Sequence, residues 1–527
     1  MTSGAARSLL RHGSILSLLT LASRVLGLLR EMTKAALLGT SALSDAFSVA
    51  FLIPNLFRRL FAEGSIAAAF IPTFKEYLLE NDRNRIREFL SSMLTFLSCA
   101  VTLTVMAGIL LAPVITPVFG LEEFDETTLL TRIMFPFLAF ISLAALFQGI
   151  LNSVHVFAPS GFAPIALNLA TILCAYGLSP LTANPARAMA IGILAGGFLE
   201  AAIQLPFVIT HGYTFRFTGI VKALKNPGTR KVLRLIAPTI AGMAAYQLND
   251  LVSTALAGNA GEGVVSSLQY SLRIQELFLG IFAVSIGTVL LPDLAEYAKT
   301  ARWESYNERL VSAMDIIILI TVPVTFFSLT HGETLIRLLF QTRSFDEQSV
   351  ALTLAAFRHH IPGLLFIALN RILAPAFYAQ SDSRSPALAG LVSFGVNILL
   401  AAILVRPYAG AGIALALTIA GAVNTALLLI FLRRNPRIAV GAALRSALGY
   451  TLKLAVFSAI AVLPTLAVNS RLTGLFAGLG RGRLVRWGIP FALNALLFGA
   501  TGAALLVISR DRYFLALAKL FRRGRAG

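Results

Sequence analysis

The chain has 527 residues, of which 57% are hydrophobic and 13% charged, with a formal net charge of +19. Soluble domains carry about 25% charged residues, so a soluble globular protein is excluded. A β-barrel is excluded as well, because it would show alternating segments of roughly ten residues instead of unbroken apolar runs of about twenty.

In chain order, apolar runs predict helical spans near 13–38, 43–74, 90–117, 130–153, 162–180, 187–209 and 235–258. They continue near 264–295, 312–330, 349–377, 385–405, 409–432, 447–468 and 487–509. The fourth and tenth are the least cleanly bounded. The expected fold is all-α: a polytopic membrane protein of about 14 transmembrane helices. Prolines fall inside many spans, at Pro54, Pro72, Pro136, Pro238, Pro292, Pro323 and Pro362, and read mostly as packing kinks.

With both termini set inside, the cytoplasmic segments hold about 26 Lys and Arg and the outer loops about 8, the positive-inside asymmetry. Topology therefore accounts for the positive charge, and no nucleic acid is expected as a partner. The loop from His211 to Arg234 carries Arg216, Lys222, Lys225, Arg230, Lys231 and Arg234, and the tail carries Arg522, Arg523 and Arg525. Both clusters are expected to touch the anionic head groups of membrane lipids. The last outer loop breaks the rule with Arg471, Arg481, Arg483 and Arg486. Arg7 and Arg11 precede an apolar run, as in a signal peptide. Arg24 interrupts that run without a small-residue cleavage site following, so the first span is expected to be retained. Cys99 and Cys174 lie in apolar spans and read as buried thiols.

A weak internal repeat runs through the chain. Ile71-Pro72-Thr73-Phe74-Lys75-Glu76-Tyr77 resembles Leu291-Pro292-Asp293-Leu294-Ala295-Glu296-Tyr297, Ala36-Leu37-Leu38-Gly39 resembles Ala255-Leu256-Ala257-Gly258, and Phe157-Ala158-Pro159-Ser160 resembles Tyr378-Ala379-Gln380-Ser381. The offsets all lie near 220 residues and keep one order, which points to duplication of a six-span unit in parallel topology. The expected division is 1–215 for an N-lobe of helices 1–6, 216–435 for a C-lobe of helices 7–12, and 436–527 for helices 13–14 and a basic cytoplasmic tail. Two lobes around a central site favour a transporter.

Arginines inside spans carry the functional signal. Arg24, Arg30, Arg58, Arg59 and, later, Arg273 each interrupt apolar sequence. An arginine at mid-bilayer costs roughly 2.5–3.5 kcal/mol on an insertion scale, so these side chains should border a wet cavity. Arg24 and Glu31 share one face of a straight helix, and Arg30 and Lys34 share another. Gly27 lies between the two arginines, where a hinge would change how they face each other. Asp45 and Arg59 fall within about 40° of each other on a regular helix. Glu63 follows Arg59 by one turn, and Glu276 follows Arg273. Internal salt bridges such as Arg24–Glu31 would explain part of this pattern, and snorkelling would explain Lys34, Lys453 and Arg58. An anion cavity explains the excess of cations. A guanidinium donates two parallel hydrogen bonds to phosphate, so the expected ligand carries phosphate or pyrophosphate. Glu31, Asp45, Glu63 and Glu276 would pair with the arginines or gate the site.

Enzyme signatures are missing: no nucleotide-binding glycine loop with a lysine, no His-Glu-x-x-His, no cysteine-rich metal spacing. His359 and His360, beside Arg358, read as structural. No cofactor is called for, and the sequence names no coupling ion. A membrane enzyme acting on polyprenyl phosphates would need acidic metal ligands or a catalytic His/Asp set.

The residues Ser23-Arg24-Val25-Leu26-Gly27-Leu28-Leu29-Arg30-Glu31, then Ser44-Asp45-Ala46-Phe47, then the run from Ile53-Pro54-Asn55-Leu56-Phe57-Arg58-Arg59 to Gly64 closely resemble the MurJ/MviN family. Ala374-Pro375-Ala376-Phe377-Tyr378 resembles it as well. That family comprises bacterial lipid II flippases of the multidrug/oligosaccharidyl-lipid/polysaccharide exporter superfamily. The resemblance covers essentially the whole chain. It implies two six-helix lobes around a central cationic cavity, and two C-terminal helices forming a groove for the polyprenyl tail. It implies that Arg24, Arg30, Arg58 or Arg59, and Arg273 are cavity arginines, with Asp45 as the family's acid in the second span. Glu31 departs from the family's usual Asp. It further implies a monomeric flippase of the bacterial inner membrane, not an enzyme, with lipid II as substrate and cell-wall synthesis proteins as expected partners. The rival within the superfamily is an exporter of another polyprenyl-linked oligosaccharide.

Overall fold

Lipid offers the backbone no hydrogen-bond partners, so a spanning segment must pair its own N–H and C=O groups. The apolar runs accordingly fold as α-helices, and no strand occurs among the described residues. The structure, a computed structural model, describes the backbone of residues 3–61, 65–479 and 482–516, and within these omits the side chains of 3–17, 60–61, 65–68, 237–246, 281–289, 477 and 479.

Contacts divide the chain into two units, Met1–Ser266 and Ser267–Gly527. The first contains α1 (Ser3–Leu38), α2 (Ala42–Phe61), α3 (Ser65–Glu80), α4 (Arg83–Ile115), α5 (Phe124–Met134) and α6 (Phe137–Ser153). It continues with α7 (Ala158–Leu178), α8 (Pro185–Thr210), the short α9 (Ile220–Lys225) and α10 (Pro227–Gly258), and it includes the first turn of α11 (Val264–Lys299). The second holds the rest of α11, then α12 (Trp303–Phe340), α13 (Glu347–His360), α14 (Gly363–Tyr378), α15 (Arg384–Leu432), α16 (Val440–Leu479) and α17 (Ile489–Ile508). This contact boundary lies later than the 215/216 boundary drawn from the repeat, because α10 packs on α2 and α3.

Among the described residues, eight helical stretches are long and apolar enough to cross a membrane, and α13 with α14 makes a ninth bent by 45°. The two poorly bounded spans share one cause. Pro136 precedes α6 and Pro362 precedes α14. A proline lacks the N–H that would continue the ladder and clashes with the preceding turn, so each expected span becomes two helices. The 49 residues of α15 are likewise two arms, which meet at Ala409 with φ 45° and ψ −128°. Gly412 permits that turn, since a Cβ there would lie 2.2 Å from the carbonyl oxygen of Leu404. In α4, Pro113 leaves the carbonyl of Ile109 without its helical donor, and Arg132 Nε of α5 fills the place at 3.2 Å.

Leu103 and Leu110 on α4, Ile403 on α15 and Leu496 on α17 are large apolar side chains left exposed. On α4 the exposed apolar side chains recur along the helix, with Met106, Leu111 and Val114 beside Leu103 and Leu110, as on a lipid-facing helix. The same environment corrects the reading of the cysteines. Cys99 is exposed on α4 and Cys174 half-buried, and both are free. Lipid accepts an apolar thiol as readily as a core does, so an apolar span does not by itself imply burial.

The repeat has structural counterparts inside each unit. Asn81, after α3, and Ala301, after α11, both adopt φ 55°. Arg85 lies 5.7 Å from the ring of Tyr77, and Arg302 lies 5.0 Å from the ring of Tyr297, the matching tyrosine of the repeat. The same cation–π contact thus finishes the corresponding helices.

Candidate functional site

The first unit assembles its charged side chains on α1, α2 and α10. Arg24, midway along α1, is exposed, and among the described residues no acid pairs with it. Its neighbour Ser23 accepts a hydrogen bond on its carbonyl from Asn168 Nδ2 of α7 at 3.3 Å, which fixes this stretch of α1. Arg30 turns to the adjacent Glu31, Nη2 to Oε1 at 2.9 Å, with 15% and 17% of the two side chains exposed. Its guanidinium also stands 5.8 Å from the ring of Phe51 on α2. The expected Arg24–Glu31 pair does not form, because Glu31 is engaged by the nearer arginine. α1 is an unbroken helix through Gly27, which is buried.

Lys34 corrects the snorkelling reading. It is buried, and its Nζ donates to Ser48 Oγ at 2.5 Å, while Ser48 Oγ donates to the carbonyl of Ser44 at 2.7 Å. An ammonium is tolerated there because α2 supplies oxygen acceptors in place of water.

On α2, Arg58 Nε donates to Asn55 Oδ1 of its own helix at 2.7 Å. Arg59 reaches α10 instead: Nη1 lies 3.3 Å from Gln247 Oε1 and 3.5 Å from Asp250 Oδ2. Both partners of that ion pair are about one-third exposed, so the pair faces an accessible space. Glu63 lies outside the described residues.

Asp45 has a partner its spacing does not suggest. Though it shares a helical face with Arg59, fourteen residues along a helix is about 21 Å, too far for contact. Its buried carboxylate accepts from the amide of Gly263 on Oδ2 and from the amide of Ser266 on Oδ1, each at 2.8 Å. It thereby caps the N-terminus of α11, where unpaired amides and the helix dipole favour an anion. Glu262 returns the contact, accepting from the amide of Ala42 at 2.9 Å at the start of α2. The two helix starts are positions of the repeat about 220 residues apart, and each is capped by an acid from the other's side of the turn.

In the second unit, Arg273 Nη1 pairs with Glu276 Oε2 at 3.0 Å, one turn apart on α11, and both side chains are partly exposed. His360 is buried, sharing a hydrogen bond through Nδ1 with Ser271 Oγ at 2.7 Å and accepting from Gln275 Nε2 on its carbonyl at 2.5 Å. Among the described residues no group of His, Cys, Asp and Glu has metal-binding geometry.

Two arginines of the last loop, Arg483 and Arg486, also find a physical account. Arg483 Nη1 donates to the carbonyl of Leu339 at 3.2 Å, at the C-terminus of α12, where a cation complements the dipole. Arg486 and Arg337 stand 5.0 and 5.2 Å from the ring of Trp487, and Arg337 is further held by Glu333 and Glu347. Arg481 lies outside the described residues. Sequence reasoning missed Gln247, Asp250 and Glu262. The signal for the first two was the polar run Gln247-Leu248-Asn249-Asp250 within an apolar span.

A polytopic helical protein in two units, with guanidinium groups carried along apolar helices, has the build of a membrane transporter. Solved structures share this fold. An inward-facing multidrug resistance MATE family transporter of the MOP superfamily superposes with a TM-score of 0.62 at 14% identity, over 80% of this chain and 96% of that one. The lipid II flippase MurJ in an inward closed conformation gives a TM-score of 0.77 at 24% identity, over 94% and 99% of the two chains. The chain belongs to the MurJ family: the family model described as lipid II flippase MurJ matches residues 34–478. The probable lipid II flippase MurJ of Treponema pallidum is 46% identical over 512 residues, covering 96% of this chain and 97% of that protein. That of Vibrio cholerae is 33% identical over 436 residues, covering 80% and 82%.

Proposed function

We infer that the chain is a lipid II flippase, a transporter and not an enzyme, carrying the pyrophosphate-linked head group of the peptidoglycan precursor from the cytoplasmic to the outer leaflet. The observation that carries the reading is 46% identity, over 96% of the chain, to the probable lipid II flippase MurJ of Treponema pallidum. The arginines supply the chemistry. A phosphorylated head group bared of water in hydrocarbon would cost tens of kcal/mol by Born solvation, so it needs a polar path. Arg24, Arg30, Arg58, Arg59 and Arg273 provide that path, exchanging their present partners for phosphate oxygens. Arg24 is ready to do so without giving up an ion pair. The two six-helix lobes expose the site alternately to each side, with Gly27 as a hinge and Glu31, Glu63 and Glu276 as charge partners or gates, while Asp45 holds the start of α11 and the prenyl chain stays in lipid. A potential negative inside favours outward movement of an anion by about 2.3 kcal/mol per charge per 100 mV. No cofactor takes part on this reading. The protein works as a monomer in the inner membrane with both termini cytoplasmic, among the cell-wall synthesis proteins that use its product.

The test is complementation. Cells depleted of their own flippase receive the intact chain, Arg24→Ala or Arg273→Ala, and lipid II in the outer leaflet is measured. Rescue by the intact chain and loss with either variant is expected. Failure of the well-expressed intact chain rejects the function; full rescue by both variants rejects the arginine roles.

A further inference from the structure

The chain between α8 and α10 has a construction that transport of a head group does not require. Tyr213 and Phe215 are pinned inward, 5.6 Å from the ring of Phe74 and 5.8 Å from that of Phe147. The backbone then runs along α4: the amide of Arg216 donates to Ser91 Oγ at 3.0 Å and the amide of Thr218 to Thr95 Oγ1 at 2.9 Å. α9 follows, with Ala223 buried against the protein and Lys222 Nζ 3.4 Å from Glu88. What is left outward is apolar. Phe217 is 72% exposed and Val221 62%, with Ile220 and Leu224 beside them.

The depth of this segment follows from α4. Glu88 is the last charged residue before the long apolar run of that helix. Ser91 and Thr95 lie three and seven residues further on, about 5 and 10 Å along the axis. The segment therefore crosses α4 where head groups give way to acyl chains, and amphipathic elements lying in the interface bury their apolar face to about 5–10 Å. Lys222 returns to the level of Glu88, so the bases stand outward of Phe217. Arg216 and Lys225 are exposed, with no acid partner among the described residues. Apolar side chains below and unpaired cations above complement the surface of a leaflet containing anionic lipid.

We propose that residues 215–225 form an interfacial anchor: Phe217 and Val221 insert at the acyl boundary, and Arg216, Lys222 and Lys225 bind the head groups of anionic phospholipid. The full chain is reconstituted in nanodiscs of phosphatidylglycerol or of phosphatidylcholine. A Phe217→Trp substitution, in a Trp303→Phe/Trp487→Phe background, reports depth by quenching from brominated acyl chains. Quenching with a blue-shifted emission is expected; solvent-like, unquenched emission overturns the insertion. Should that background misfold, a spin label at Phe217→Cys in Cys99→Ser/Cys174→Ser gives the same reading from oxygen accessibility. Head-group binding is read from phosphatidylglycerol retained on the detergent-extracted protein by native mass spectrometry. Arg216→Gln, Lys222→Gln and Lys225→Gln should each weaken retention by up to about five-fold, an effect that fades at high salt. Retention equal to that of phosphatidylcholine, or unchanged in the triple variant, overturns the anionic preference. These readouts involve no lipid II, so they stand apart from the transport assignment.

Discussion

Replacing Asp45 by Asn should be far more damaging than an isosteric change suggests. The carboxylate spends one oxygen on the amide of Gly263 and the other on the amide of Ser266, both at 2.8 Å and out of water. An asparagine keeps one acceptor and turns an NH2 toward the other amide, so one bond is lost and a buried donor is left unpaired. Hydrogen bonds to a charged group contribute about 1.5–3 kcal/mol each, and an unsatisfied buried donor costs about 1–3 kcal/mol. Asp45→Asn should therefore cost on the order of 2.5–6 kcal/mol, and Asp45→Ala rather more. Glu262 makes the equivalent bond to Ala42 at an exposed site, where water replaces a lost partner, so Glu262→Gln should cost under about 1 kcal/mol. Thermal unfolding of the purified chain in detergent should rank the variants Asp45→Ala, Asp45→Asn, Glu262→Gln, wild type, in order of rising midpoint. A second arm separates capping from charge pairing. If Asp45 served to balance Arg59, adding Arg59→Gln would restore the midpoint of Asp45→Asn. A cap on α11 predicts no rescue. A wild-type midpoint for Asp45→Asn alone, or restoration by Arg59→Gln, refutes the capping role.

On the reading of Arg59 as a substrate cation, Asp250 competes with phosphate for it. Asp250→Asn should tighten binding of inorganic pyrophosphate by about two- to five-fold, the scale of a partly exposed ion pair, and the gain should vanish in an Arg59→Gln background when followed by calorimetry. Asp382, in the turn before α15, accepts from the amides of Arg384 and Ser385, both at 3.0 Å. The hydroxyl of Ser385, with those amides, holds its carboxyl below the usual carboxylate range. A depressed pKa in the folded state gives stability that is present above the unfolded value near 4 and lost as pH falls through the folded one, so Asp382→Asn should flatten the acid limb of a melting-point profile below about pH 4. Gly412→Ala would set a Cβ 2.2 Å from the backbone of Leu404, which has no side-chain freedom to yield. Overpacking costs about 1–3 kcal/mol even where side chains can shift, so this variant should lose monodispersity in size-exclusion chromatography.

The helices were legible because the bilayer imposes them: an apolar run of about twenty residues has no other stable spanning form in a single chain of this pattern. Pro136 and Pro362 even marked where two spans would break, as the loose boundaries there foreshadowed. The arginines were legible for the opposite reason, that a cation in such a run is costly. Their partners were not. Helical periodicity ranks only neighbours on one helix, whereas Arg59 looks to Asp250 on α10 and Asp45 to amides 218 and 221 residues onward. Lys34 illustrates the same gap: its acceptor, Ser48, belongs to another helix, so its burial could not be read from the flexible side chain alone.

The fate of Asp45 alters the electrostatics of the first unit. From Arg24 to Arg59 the sequence offers five cations, Arg24, Arg30, Lys34, Arg58 and Arg59, against Glu31 and Asp45. Were both acids opposite the arginines, a surplus of three charges would remain. Asp45, however, faces the start of α11, whose unpaired amides carry the equivalent of about half a positive charge. Much of its charge is therefore answered by backbone, and Glu31 is answered by Arg30 at 2.9 Å. Arg24 has no acid partner among the described residues, and Arg59 meets Asp250 where both are about one-third exposed. With Asp45 committed to the start of α11, the arginines of α1 and α2 are less compensated than if both acids faced them. A ligand bringing two phosphates would compete with Glu31 for Arg30 and with Asp250 for Arg59, and would meet no such competitor among the described residues at Arg24.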